Sequence, residues 1–233
     1  MRLQNTATKL VAGLSILTLC LGGIPAKEPK RPRVEIRTEL GSMVVELYNE
    51  TPQHRDNFLK LVNEGQYDSL LWHRVIPAFM IQGGDTDSKN APAGRVLGNG
   101  GPGYTVPAEF NPAFIHKRGA LSAARMSDEV NPEKASSGSQ FYVVQGKSWQ
   151  PAELQMLLDR KNRGMTAPKY TCTPEQIAAY SSMGGAPHLD GDYTVFGEVV
   201  EGLEVIDKIA ALACDNNDRP LADVHMWMSV LKR

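Results

Sequence analysis

Alternation of apolar and polar positions sets in at Val34. Val34 and Ile36, then Val45 and Leu47, stand two apart on either side of Glu39-Leu40-Gly41. Residues 34–38 and 42–48 therefore read as two strands around a turn, with every second side chain on one face. The period then changes. Phe58, Leu61 and Val62 follow i, i+3, i+4 spacing behind Thr51-Pro52, and Gly65 closes the run. This predicts a helix with Thr51 as N-cap and a proline at its first position, with His54 and Arg55 on its solvated side. From Ala78 to Ile81 four uncharged residues run together, as in a strand buried on both faces. Gly119 to Arg125 and Ser139 to Val144 read as further strands, the second entered through the turn Ser136-Ser137-Gly138.

Residues 148–187 carry helical signals instead. Leu154, Leu157 and Leu158 sit at helical spacing between Pro151 and Arg163, and Thr173-Pro174 repeats the cap-plus-proline signal ahead of Glu175 to Met183. Two short helices are expected, because a loop of about forty residues without structure is uncommon. Beyond them, His188 to Val199 reads as a hairpin around Asp190-Gly191, Leu203 to Ala210 as an amphipathic helix, and Val224 to Leu231 as a closing strand.

The first 26 residues follow neither pattern. Arg2 and Lys9 precede a twelve-residue apolar run, Leu10 to Leu21, too short to span a bilayer and suited to the apolar region of a signal peptide. Ala26 offers the small residue for a cut before Lys27. Cys20 offers the alternative of lipid attachment, although Leu19 ahead of it is larger than such sites prefer. Either cut implies export to the periplasm or another extracytoplasmic space, lipid-anchored in the second case. Residues 27–33, charged and proline-rich, read as a linker, leaving 34–233 as one domain with 148–187 inserted. Export would leave Cys172 and Cys214 where disulfides persist. The pair can make one bridge, but sequence alone does not bring them together.

Composition narrows the function. The chain has 233 residues, 42% of them hydrophobic, with 25 basic and 26 acidic side chains. That supports a packed core and gives no basic footprint for nucleic acid. The five histidines are scattered and form no metal-ligand spacing. Gly98-Asn99-Gly100-Gly101-Pro102-Gly103 fits the GxGxxG dinucleotide pattern by accident. Pro102 and the strand-like Tyr104-Thr105-Val106-Pro107 stand where that motif needs a helix.

The most informative stretch is Trp72 to Asp85, an apolar segment carrying Arg74 and Gln82 and ending in Gly83-Gly84. A buried arginine is rare unless paired or employed. The string His-Arg-Val-Ile-Pro-x-Phe-Met-x-Gln-Gly-Gly-Asp, residues 73–85, resembles the signature of the cyclophilins, the peptidyl-prolyl cis/trans isomerases, here of a bacterial exported branch. The strands at 119–125 and 139–144, and Val195-Phe196-Gly197-Glu198-Val199, resemble further segments of that family.

The resemblance implies a mainly β fold, a closed eight-stranded antiparallel barrel capped by two helices, here with a helical insertion. It implies Arg74 as catalytic residue and Gln82 as the side chain that helps hold it. Phe79, Met80, Tyr142 and Leu189 would form the proline pocket, and Ala124, Arg125 and Gln140 the peptide groove. Arg125 replaces a common asparagine and Tyr142 a phenylalanine. Tyr193 stands where many relatives have histidine, and His188 where members that bind cyclosporin tightly have tryptophan. His73 is assigned to structure, since the isomerase mechanism gives it no proton to move.

The expected partners are proline-containing segments of unfolded or exported proteins, acted on by a monomer without cofactor or metal. The alternative is a proline-binding or chaperone module using the same barrel without turnover. A third reading makes residues 148–187 a partner-docking element.

Overall fold

The computed structural model describes residues 30–165 and 170–232. The leader, with Cys20 and the Ala26–Lys27 cut, lies outside them. Strands β1 (Arg33–Thr38) and β2 (Gly41–Leu47) lead into helix α1 (Pro52–Asn63). Then come β3 (Leu70–Leu71), β4 (Arg74–Ile76), β5 (Met80–Gly83), β6 (Thr105–Val106), β7 (Ala120–Ala123), β8 (Ser136–Ser137) and β9 (Phe141–Val144). The insertion supplies α2 (Pro151–Lys161) and α3 (Pro174–Ser182), and β10 (Val195–Glu201), α4 (Leu203–Ala210) and β11 (His225–Val230) finish the chain. β1 starts at Arg33, so the end of the expected linker is already strand.

Nine strands form one curled antiparallel sheet in the order β3-β11-β1-β2-β10-β7-β9-β5-β4. The expected closed eight-stranded barrel differs from this in strand count, nine against eight, and in closure. The sheet's two edge strands, β3 and β4, are consecutive in the chain and separated by Trp72 and His73 alone. The ladder is open there, and the backbone itself carries the sheet from one edge to the other. The break has a local cause: Trp72 N–H bonds back to Val224 while Val75 N–H bonds to Asp218, so the chain changes partners between them.

Period-two alternation decides what each face of the sheet does. Phe141 and Val143 of β9, Ile81 of β5 and Leu121 of β7 point into the main core with Phe58, Trp72 and Phe196. Tyr142, Val144, Met80 and Ala120, their neighbours in sequence, point outward into a second cluster with Leu189 and Val195. The interior face makes the fold, and the outer face makes the back of a pocket.

Several expectations are corrected. The uncharged run at Ala78 to Ile81 is not one strand. Phe79 N–H bonds to the Ile76 carbonyl and Ala78 has a φ of 60°, so Pro77-Ala78-Phe79 forms the tip of a β4–β5 hairpin. Asp190-Gly191 is not the centre of a hairpin either. A 3-10 turn, Pro187–Leu189, precedes it and leaves Asp190 buried.

Thr51 makes no side-chain cap. Glu109 takes that role from 55 and 56 residues away, accepting from His54 N–H at 2.9 Å and Gln53 N–H at 3.1 Å. A carboxylate at a helix N-terminus meets both the free donors and the positive end of the dipole. His54 is a buried residue, not a surface one, because it stands four before Phe58 on the same stripe. Its Nδ1 lies 2.7 Å from Glu109 and its Nε2 2.9 Å from the Ser136 hydroxyl. Burial lowers the His54 pKa despite the neighbouring carboxylate. Burial would raise that of Glu109, but the hydrogen bonds from His54 and the α1 backbone prevail and lower it. The ring is thus a neutral Nδ1–H donor to an ionised carboxylate.

The two helices expected in the insertion are present. Thr173 caps α3, accepting from Gln176 N–H. Cys172 and Cys214 are both free thiols. Cys172 packs in the insertion cluster and Cys214 against the main core, so the considered bridge is not formed.

Candidate functional site

β4 and β5 pair with Arg74 directly opposite Gln82, which is why two polar residues eight apart in an apolar segment meet on one face. Arg74 Nη1 donates to Gln82 Oε1 at 3.2 Å. Gln82 Nε2 donates to Gln140 Oε1 at 3.0 Å, and Gln140 Nε2 donates to the carbonyls of Gly98 and Gly100 at 2.9 and 2.8 Å. On its other side the guanidinium faces Asp218, with Nε 3.6 Å from the carboxylate. Arg74 is held from two directions and still keeps 43% of its side chain exposed.

The glycine loop that ends this relay is not a nucleotide motif. It packs against Asp85, which accepts from Asp87 N–H at 2.7 Å and from Gly98 N–H. A Cβ at Gly100 would collide with the Asp85 carboxylate, so the sequence must be glycine for the loop to close over that residue.

Beside Arg74 opens a cavity of about 150 Å³ lined by Arg74, Phe79, Met80, Gln82, Ala124, Arg125, Tyr142, Leu189 and Tyr193. These are nine of the eleven residues that sequence reasoning assigned to the site. A larger cavity of about 560 Å³ adjoins it, sharing Gln82, Ala124 and Arg125, and includes Gln140. His188 stands outside both linings, at the rim, its ring 5.3 Å from that of Phe79. Burial, followed by the charges of His116 and Lys161, lowers its pKa.

The Arg125 side chain does not project into the groove. Its Nε donates to the Asp192 carbonyl at 2.8 Å, Nη1 pairs with Asp128 at 2.6 Å, and the guanidinium lies 4.4 Å from the Tyr193 ring centroid. It fixes Tyr193 by a cation–π contact, leaving its backbone to face the groove. Tyr193 in turn meets Tyr142 edge-on, centroids 6.1 Å apart.

His73 is buried, and neither ring nitrogen has a hydrogen-bond partner among the described residues. Burial lowers its pKa to about 4. A neutral, packed imidazole fits the structural role expected of it. Among the described residues no three His, Cys, Asp or Glu side chains cluster to hold a metal ion, and no helix is long and apolar enough to cross a membrane.

Sequence reasoning missed Asp218, which reaches Arg74 from the loop before β11. It also missed the polar backing of the pocket, where the Tyr142 hydroxyl lies 3.0 Å from His116 Nε2 and His116 Nδ1 lies 2.7 Å from Asp190. The departure of Tyr142 from phenylalanine was the one available signal, since a buried phenol needs a partner.

Comparison with known proteins agrees with this geometry. The family model for cyclophilin type peptidyl-prolyl cis-trans isomerase matches residues 33–229. A Staphylococcus haemolyticus protein assigned as a peptidyl-prolyl cis-trans isomerase is 33% identical over 194 residues, covering 82% of this chain and 87% of its own. A Streptococcus pyogenes protein assigned as a bifunctional phosphatase and peptidyl-prolyl cis-trans isomerase is 36% identical over 197 residues. That match covers 83% of this chain but 37% of the longer protein. The crystal structure of a Cryptosporidium parvum cyclophilin type isomerase superimposes with a TM-score of 0.62 at 22% identity, covering 87% of this chain and 99% of that one. A second structure of that protein, determined in the presence of the dipeptide Ala-Pro, gives 0.61 at 23% identity, covering 86% and 99%. Signature, fold and relatives converge, and the chain belongs to the cyclophilin-type peptidyl-prolyl cis-trans isomerases.

Proposed function

We propose that this isomerase accelerates X–Pro isomerisation in exported proteins, with Arg74 as its catalytic residue and the 150 Å³ cavity as the seat of the proline ring. Resonance gives the peptide C–N bond a rotation barrier of about 18–20 kcal/mol, and uncatalysed X–Pro exchange takes tens to hundreds of seconds. Bringing that to milliseconds requires removing roughly 7 kcal/mol, at about 1.4 kcal/mol per decade. No nucleophile or acid–base pair is needed. Twisting the amide breaks its resonance and returns the lone pair to the prolyl nitrogen, which then accepts a hydrogen bond. A permanently charged guanidinium beside a dry ring pocket prefers that state to the planar one.

Phe79, Met80, Tyr142 and Leu189 supply the apolar walls. Gln82 orients Arg74 from one side, and Asp218 opposes it from the other. Ala124 and Arg125 line the groove, Gln140 closes it onto the glycine loop, and His188 and Tyr193 border it. The observation that carries the reading is a doubly held but still exposed Arg74 beside a cavity walled by Phe79, Met80, Tyr142 and Leu189. The test is a protease-coupled assay on a proline tetrapeptide comparing the mature protein with Arg74→Ala. Equal activity would remove Arg74 from the mechanism.

The exported setting rests on the sequence of residues 1–26. The mature protein is expected to begin at Lys27, as mass spectrometry of the exported protein would read directly. A diacylglyceryl mass on Cys20 would establish the lipid-anchored form instead.

A further inference from the structure

The insertion does not simply lie beside the pocket. Its two helices bury Leu154, Leu158 and Tyr180 in a cluster of their own with Ile115. Polar ties then lead from it into residues 187–193, the segment that gives Leu189 and Tyr193 to the cavity. Tyr170 donates its hydroxyl to Asp190 Oδ2 at 2.7 Å, and Tyr180, from α3, donates to the same oxygen. Lys161, at the end of α2, donates to the His188 carbonyl at 3.1 Å and pairs with Asp192 at 2.5 Å.

Asp190 is 1% exposed. Its other oxygen accepts from His116 N–H at 2.8 Å and lies 2.7 Å from His116 Nδ1. A carboxylate only accepts, so four donors converge on it and Nδ1 must carry hydrogen. His116 Nε2 lies 3.0 Å from the Tyr142 hydroxyl. The chain of bonds thus reaches Tyr142. It ends by turning the Tyr142 hydroxyl into the wall, so that a tyrosine presents only its ring to the cavity. Tyr142, His116 and Tyr180 are all buried, and such a chain is cooperative where water cannot replace a lost member.

We propose that Tyr170 and Tyr180 of the insertion are positioning residues for the proline pocket, acting through Asp190 and His116 on the ring of Tyr142. The insertion is thereby part of the isomerase site and sets how well it takes the prolyl ring. This rests on the reading of the 150 Å³ cavity as the proline seat.

The test uses the full mature chain and changes that remove hydroxyls but keep rings. Tyr170→Phe/Tyr180→Phe should raise KM for a proline tetrapeptide three- to tenfold and leave kcat within twofold, because Arg74 is untouched. In a Tyr142→Phe background, where the chain has lost its last member, the same pair of changes should add less than 1.5-fold. An unchanged KM overturns the proposal, as does an equal rise in both backgrounds, which would mark a merely structural effect. Should the double variant not fold, Tyr170→Phe alone carries the same comparison. The NMR ring signals of Tyr142, followed in Tyr170→Phe, report the chain without reference to activity. Shifted signals support the proposal and unmoved ones overturn it. If those signals shift while Phe79→Ala leaves KM unchanged, the assignment of the cavity fails and the chain of bonds stands.

Discussion

Replacing Arg74 by lysine keeps the charge and removes the planar fork, so it separates what the guanidinium does from what any cation would do. Arg74 uses Nη1 on Gln82 at 3.2 Å and Nε against Asp218 at 3.6 Å, leaving its remaining N–H groups for the twisted amide. An ammonium on a flexible stem cannot hold both neighbours and still reach the prolyl nitrogen. The loss is that of one charged hydrogen bond formed mainly in the transition state, about 1.5–3 kcal/mol. Because the side chain is 43% exposed, water moderates the interaction and the lower half of that range applies. The expected fall in kcat/KM is tenfold or somewhat more, at about 1.4 kcal/mol per decade. Stability should hardly move. The Arg74–Asp218 pair is exposed on both sides, and pairs of that kind contribute at most about 1 kcal/mol. Stopped-flow kinetics on a proline tetrapeptide, with urea unfolding of the same sample, measures both quantities. Undiminished kcat/KM in a folded Arg74→Lys protein would refute the transition-state role.

Other perturbations test the surrounding structure. Glu109→Ala removes the α1 cap, about 1 kcal/mol, and orphans the buried His54 N–H, about another 2 kcal/mol. Thermal unfolding should drop by roughly 6–12 °C, and a drop of under 2 °C would show that water replaces the carboxylate. For His73 the unfolded ring protonates near 6.5, whereas the folded ring does so only at about 4. Unfolding therefore takes up a proton between those values, and stability declines as pH falls from 6.5 to 4, by up to about 3 kcal/mol. Urea unfolding at both ends of that window should give a smaller decline in His73→Gln, and identical declines would exonerate His73. His188→Trp places an indole against Phe79 at the rim and should tighten cyclosporin inhibition by 1–3 kcal/mol, about 5- to 150-fold. Turnover of a short peptide should stay within twofold, and equal inhibition constants would show that His188 does not meet the ligand.

What the sequence disclosed and what it hid divide along one physical line. Contacts set by helix period were legible: Leu154 and Leu158 are buried because one turn separates them. Arg74 and Gln82 were matched by family resemblance, while the hairpin that pairs them was read as a single strand. Polar groups satisfied from far along the chain were not legible. His54 has the spacing of a buried residue, four before Phe58, but its polarity argued for solvent, and its partners Glu109 and Ser136 lie 55 and 82 residues away. Asp190-Gly191 has the composition of an exposed turn, but the carboxylate is taken up by four donors from His116, Tyr170 and Tyr180. Both errors have the same form: a polar residue was assigned to water when the fold supplied a partner. The cost of an unpaired buried polar group is what favours such partners. A buried aspartate with three side-chain partners brought from separate segments thus marks a place where the fold has committed resources. Here that place lies behind the proposed proline pocket and is reached from the insertion through Tyr170 and Tyr180.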